Sequence, residues 1–333
     1  MASSIQLRIA VGILLVSCVA AFTTLSDRRK SQLFTYLGLV PGSILDSTRE
    51  HFQGKNVLLT GASGGLGKAM ALQLVNDCNV KTLILSGRKE DALQEVANSC
   101  NVGSHQKVVC VSCDLADLNA VQLLGQKALE HCNDRGSGCV DVLINNGGIS
   151  SRSNFIDTDI SVDDLLMRIN FLAGASLAKQ VVPAMSTKRG GTIIWISSVQ
   201  GLLGIPGRTS YAASKFAVQG YCEALRAEVA SLGITVHVAS PGYIRTNLSQ
   251  NAIQGDGTNY GKMDDTTANG ADPMEVSATI FNSVANNNKK SSSDFLVAAG
   301  LSAKVAIWLR FLAPKFLEQM LIKRFQKSQT NQK

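Results

Sequence analysis

Tyr211 and Lys215 stand four residues apart in Tyr211-Ala212-Ala213-Ser214-Lys215, and a pair of serines, Ser197 and Ser198, lies shortly upstream. Residues at i and i+4 share a helix face, so a phenol and an ammonium at this spacing can meet. A free tyrosine, with a pKa of about 10, is a poor acid or base near neutrality. An ammonium beside it favours the phenolate and lowers that value. Taken singly, each residue has an ordinary explanation: a tyrosine in a core, a solvated lysine, a serine in a turn. Taken together they predict proton transfer to or from an oxygen, which is what interconversion of a carbonyl and an alcohol requires.

Such chemistry needs a hydride carrier, and a second motif supplies a place for one. An apolar run ends in Thr60-Gly61-Ala62-Ser63-Gly64-Gly65-Leu66-Gly67, followed by a helical stretch. Glycines let a pyrophosphate approach the backbone, and a helix N-terminus attracts its charge. A glycine-rich turn alone is weak; its position between a first strand and a helix points to dinucleotide binding through Gly61, Ser63, Gly64, Gly65, Leu66 and Gly67. The next apolar run ends in Ser86-Gly87-Arg88. NAD sites usually carry a carboxylate there, whereas a guanidinium suits a 2′-phosphate. Arg88 therefore predicts NADP+/NADPH rather than NAD, unless it is simply a solvated arginine. Asp114 and Leu115 are expected to border the adenine, and Asn146, in Asn145-Asn146-Gly147-Gly148, the nicotinamide side.

The elements that must position these groups follow from patterning. From Asn56 onward, β-branched apolar runs alternate with helical stretches, the pattern of a parallel sheet covered on both faces. Strands are expected over 56–60, 81–86, 107–113, 140–145, 192–197 and 235–240, with a weaker seventh over 295–298. The fold class is α/β: a single doubly wound Rossmann-type domain over residues 51–300. Residues 250–273, rich in Asn, Gly, Asp and Thr, are expected to form a mobile substrate lid. Two segments lie outside this domain. Ile9–Leu25 carries no charge and is followed by Arg28, Arg29 and Lys30, which favours a single-pass membrane anchor within residues 1–50 over a cleaved signal. Residues 301–333 form a basic amphipathic tail that Pro314 interrupts, suited to a membrane surface, a partner subunit or the domain's own core.

Composition sets bounds. With 45% hydrophobic and 17% charged residues in 333, the chain can bury a large core. Its net charge of +7 comes largely from the two ends, and aromatics are only 5%, which argues against nucleic-acid binding. Cys110 and Cys113 form a C-x-x-C, but no second such pair or paired histidines follow, so they are expected to be buried strand thiols and not metal ligands.

The ordered set of glycine loop, Asn-Asn-Gly, serine and Tyr-x-x-x-Lys resembles the short-chain dehydrogenase/reductase family over about residues 52–300. The resemblance selects Ser198, thirteen residues before Tyr211, as the catalytic serine and adds Asn170 as a fourth catalytic residue. It places Pro241, Gly242, Ile244 and Thr246 beside the nicotinamide carboxamide, and Lys215 on the nicotinamide ribose. It also implies a homodimer through the helix bearing Tyr211. Two positions depart from the family pattern: Gly147 replaces an alanine, and Ala173 replaces a glycine three residues after Asn170. The resemblance narrows to a membrane-anchored branch, which implies an endoplasmic reticulum location with the domain in the lumen; the basic residues after Leu25 point instead to the cytosol. The expected activity is NADP(H)-dependent reduction of a lipophilic ketone, a steroid, retinoid or lipid-derived carbonyl, or the reverse. A nucleotide-binding membrane partner with little turnover is the alternative; epimerisation or dehydration is disfavoured by the glycine spacing.

Overall fold

The computed structural model describes residues 43–133, 138–286 and 292–330. The expected anchor and the basic cluster after it lie outside these residues. Seven strands form one parallel sheet: β1 (Asn56–Thr60), β2 (Thr82–Gly87), β3 (Lys107–Ser112), β4 (Val142–Asn145), β5 (Gly191–Ile196), β6 (Ile234–Pro241) and β7 (Ser293–Val297). Their order is β3-β2-β1-β4-β5-β6-β7, so the direction of winding reverses between β1 and β4. At that seam Val57, Leu58 and Leu59 pair with Val142, Leu143 and Ile144. The seven expected strands are all present, with ends shifted by one or two residues.

β1, β4 and β6 are buried along their whole length, as continuous apolar strands must be when helices cover both faces. On one face lie α1 (Asp46–Phe52), α2 (Gly65–Asn76), α3 (Glu90–Asn98) and, after the last crossover, Pro273–Asn286; Phe52, Met70, Leu74, Ile280 and Phe281 fill the core between them and the sheet. On the other lie α4 (Leu118–Cys132), a long segment over residues 160–187, and the helix Thr209–Val229, around Leu124, Leu177, Val181, Trp195, Val218 and Cys222.

The long segment has three parts: α5 (Ile160–Met167), a π-helical turn (Arg168–Leu172) and α6 (Ala173–Thr187). It is the one helical stretch among the described residues long and apolar enough to cross a membrane, yet half of it is buried within the domain. We label Thr209–Val229 α7, Asp265–Ala268 α8 and Pro273–Asn286 α9; the tail forms α10 (Leu301–Leu312) and α11 (Pro314–Thr330). Pro314 breaks the tail by opening a second helix, where its missing N–H costs nothing.

Residues 250–273 are less irregular than their composition suggests. They contain α8, and Ile253 bridges in parallel to Ser151 and antiparallel to Asn259 while packing with Tyr211, Val162 and Leu166. Cys113, just past β3, is buried and its thiol is pushed up to about 11 by desolvation, while Cys110 within β3 is half-buried.

Candidate active site

The strand ends at the seam converge on the glycine loop. Gly61 and Gly65 both have positive φ, 64° and 54°, which only glycine adopts freely. A Cβ on Gly67 would sit 2.0 Å from the Gly61 carbonyl oxygen, so α2 can approach β1 only with glycine there. A Cβ on Gly64 would meet nothing within 4 Å, leaving open space before the N-terminus of α2. That open cradle beside a helix start fits a pyrophosphate. Thr246 lies over it, since its Cγ2 would be 2.9 Å from a Cβ on Gly65. Arg88 is exposed at the end of β2, free to meet a phosphate, and Asp114 is exposed after β3.

Asn146 braces the glycine loop. Its Nδ2 donates to the carbonyls of Thr60 (3.0 Å) and Gly61 (3.1 Å), stapling the fourth strand's end to the glycine loop. Gly147 also has a local reason. A Cβ there would fall 2.4 Å from Leu115 Cδ1, so the leucine occupies the space an alanine would use.

On the other side of the seam, the π-helical turn aims Asn170 at the site, a common use of such turns. Its Oδ1 accepts from Ile149 N (2.8 Å), and its Nδ2 donates to Ile149 O (3.0 Å) and Ser214 Oγ (2.9 Å). A cavity of about 10 Å³ behind it is lined by Thr60, Asn145, Asn170, Gly174 and Trp195 among others, about the size of one water. The departure at Ala173 is also accounted for. The close approach falls one residue later, where a Cβ on Gly174 would meet Trp195 Cζ2 at 2.6 Å and Asn145 Cγ at 2.9 Å.

α7 carries Tyr211 and Lys215 on one buried face with Ser214. Lys215 Nζ donates to Ile196 O (2.9 Å) and lies 5.7 Å from the Tyr211 ring centre. Desolvation drops its pKa to about 8. The two serines after β5 are distinguished by their partners. Ser197 Oγ donates to Lys215 O (3.3 Å) and accepts from Gln219 Nε2 (3.1 Å), which makes it a structural tie. Ser198 caps the short turn Val199–Gly201 by accepting from Gln200 N (3.1 Å), and its hydroxyl is near enough to Tyr211 to favour the phenolate.

Further groups act on Tyr211. Burial raises its pKa; the Ser198 hydroxyl and then the Arg208 and Arg152 guanidinium groups pull it down. Lys215, the cation inferred from spacing, also donates to the Ile196 carbonyl. The arginines belong to a cluster that spacing did not supply. Arg152 donates to Asp264 Oδ2 through Nε (2.9 Å) and Nη2 (2.6 Å), Arg208 Nη2 reaches the same oxygen at 3.4 Å, and Tyr260 OH donates to Oδ1 at 3.3 Å. Arg152 also donates to Ser150 Oγ (2.7 Å) and Ser151 O (2.8 Å). This network ties residues 250–273 to the segments that follow β4 and β5. Beyond it, Phe155, Ile156 and Ile160 are exposed on the segment that docks on Gly255 through Asp159 N.

Residues 55–257 match the family model described as short chain dehydrogenase. The chain belongs to the short-chain dehydrogenase/reductase family. A Danio rerio relative, dehydrogenase/reductase SDR family member 7B, is 41% identical over 284 residues, covering 84% of this chain and 88% of the relative. An Anopheles gambiae relative, dehydrogenase/reductase SDR family protein 7-like, is 40% identical over 283 residues, covering 83% and 85%. A short-chain dehydrogenase from Streptomyces avermitilis superposes with a TM-score of 0.64 at 24% identity, covering 83% of this chain and 99% of that one. A metagenomic short-chain oxidoreductase in complex with NADP gives 0.58 at 21% identity, covering 75% and 99%. The family's Rossmann-like sheet and nicotinamide chemistry thus frame the geometry described above.

Proposed function

We propose that this chain is an NADP(H)-dependent oxidoreductase that interconverts a lipophilic ketone and its secondary alcohol. The observation that carries the reading is the convergence of Ser198, Tyr211, Lys215 and Asn170 on one side of the β1/β4 seam, across from an open glycine cradle. Gly64 opens onto space for the dinucleotide pyrophosphate, Gly61, Gly65 and Gly67 allow the tight packing around it, and the exposed Arg88 suits a 2′-phosphate. The nicotinamide, when bound, supplies or accepts the hydride. Tyr211 gives its phenolic proton to the forming alkoxide, and the arginine pair with Ser198 offsets the burial that would otherwise hold that proton too tightly. Ser198 also orients the substrate oxygen. Lys215 remains largely charged near neutrality, with its lowered value of about 8, and its ammonium is placed to hold the nicotinamide ribose. Asn170 fixes Ile149 and, through Ser214, the first turn of α7.

The exposed Phe155, Ile156 and Ile160 beside residues 250–273 favour an apolar substrate, such as a steroid, retinoid or lipid-derived carbonyl. Full-length protein incubated with NADPH and a panel of lipid ketones is expected to consume the two stoichiometrically. Tyr211→Phe should lower kcat by roughly 10²- to 10⁴-fold while NADPH binding persists. Activity undiminished in that variant refutes the mechanism. Tight NADPH binding without turnover on any ketone replaces it with a nucleotide-dependent partner protein.

A further inference from the structure

The C-terminal helices leave a large apolar surface uncovered. On α10, Leu301, Val305, Trp308 and Leu312 recur at i, i+4, i+7 and i+11, one continuous face, and all four point to solvent, Leu301 at 78% and Leu312 at 77% exposure. No residue of α10 is fully buried, and Arg310 is one that reaches the domain. Arg310 lies 4.6 Å over the Phe216 ring and donates to Leu202 O at 2.8 Å. A helix that packs only on its own domain has the opposite arrangement. α11 buries Leu317 in the usual way, yet Phe316 and Met320 at i and i+4, and also Ile322, are exposed. Single exposed apolar residues mean nothing, but a contiguous face of them marks a contact.

Charge decides what the contact is. Besides Arg310, which is held on the domain, Lys304, Lys315, Lys323, Arg324 and Lys327 lie along the two helices, against one acidic residue, Glu318. A second copy of the chain meeting this face about a twofold axis would set basic residues against basic residues. An anionic lipid surface offers the complementary charge and takes up the apolar stripe beneath it. We infer that α10 and α11 form a monotopic docking surface for an anionic lipid bilayer, lying in its interface with Trp308 in the headgroup region. The inference is independent of the reaction proposed above and of any segment before residue 43. Because Arg310 grips Leu202 and Phe216, which flank Ser198 and Lys215 in sequence, the docked helices are tied directly to the catalytic platform.

The chain has two tryptophans, Trp195 at 1% exposure and Trp308 at 54%, so the spectrum of the native chain minus that of Trp308→Phe isolates Trp308. Full-length protein is reconstituted into phosphatidylcholine vesicles containing phosphatidylserine, with and without brominated acyl chains. The Trp308 component is expected to shift to the blue and to be quenched about twofold by the brominated lipid, as for a side chain at headgroup depth. Full intensity in brominated vesicles with free quenching by aqueous iodide shows a solvated face and overturns the inference. Protection from both quenchers shows a protein cover, a second copy included, and overturns it equally. A variant combining Lys323→Glu, Arg324→Glu and Lys327→Glu should lose most of the lipid quenching in phosphatidylserine vesicles; unchanged quenching there overturns the assignment to anionic lipid.

Discussion

The two sides of the cofactor seam are held together by different means. The glycine-loop side is set by backbone shape: glycines at positive φ, a helix approaching to within contact of a carbonyl, and strands paired in register. The side bearing Tyr211 is set by charged side chains from distant parts of the chain, with Arg152, Arg208 and Asp264 joining segments 112 and 56 residues apart. Backbone shape resists change in an all-or-none way. A partly buried ion cluster can be altered by degrees, and its net charge acts on Tyr211 as well as on the loop it holds.

The sharpest way to break this contrast is a single methyl group at Gly67. Gly67→Ala would place a Cβ against the Gly61 backbone, and it should cost about 3 kcal/mol or more and abolish NADPH binding, as read by thermal melting and by nucleotide fluorescence. A well-folded, NADPH-binding variant would mean that the cradle is softer than its contacts imply. On the opposite side, Asp264→Asn should cost about 2 kcal/mol, less than the roughly 3–5 typical of a fully buried pair, since Arg152 and Asp264 keep 12% and 18% exposure. It also leaves two guanidinium groups uncompensated near Tyr211. The phenol then loses its proton more readily, so the alkaline fall in reductase activity should move to lower pH.

Arg208→Gln works in the opposite sense. With one of the two lowering cations removed, the folded-state value of Tyr211 rises further, the protonated phenol persists to higher pH, and the alkaline limb should move upward. A pH–rate profile on the two variants checks the pair; shifts in the same direction would show that the cluster acts only by holding the loop. The smallest effect is expected for Arg226→Ala. Arg226 Nη1 donates to Asp294 at 2.9 Å, another long-range pair, but Asp294 is largely exposed and the loss should stay below about 1 kcal/mol in chemical denaturation. A larger loss would mean that distance along the chain, and not burial, sets the worth of such pairs here.

This contrast also explains what was legible beforehand. Alternating apolar runs located all seven strands because a sheet covered on both faces leaves few other patterns. Tyr211 and Lys215 were paired by helical periodicity, a local property. The ion cluster was invisible because nothing in the sequence couples Arg152 to Asp264; only the folded chain brings them together. For the same reason residues 250–273, polar and without period, gave no hint that Ile253 packs with Tyr211 or that Asp264 pairs with Arg152. Gly147 and Ala173 looked like departures until Leu115 and Gly174 were seen to fill the complementary roles.

The reversal of winding at the middle of the sheet carries a kinetic consequence. Asn56 N donates to Asp141 Oδ2 at 2.8 Å across 85 residues of intervening chain, at the mouth of the β1/β4 pair. Closing a loop of that length must precede any reward from the strand pairing, which makes the central seam a slow step of folding. The glycine cradle and the catalytic wall face each other only once the seam is shut. Nucleotide capture during refolding would therefore time the zipping of β1 to β4, so a dye-like cofactor becomes a clock for the assembly of the whole sheet.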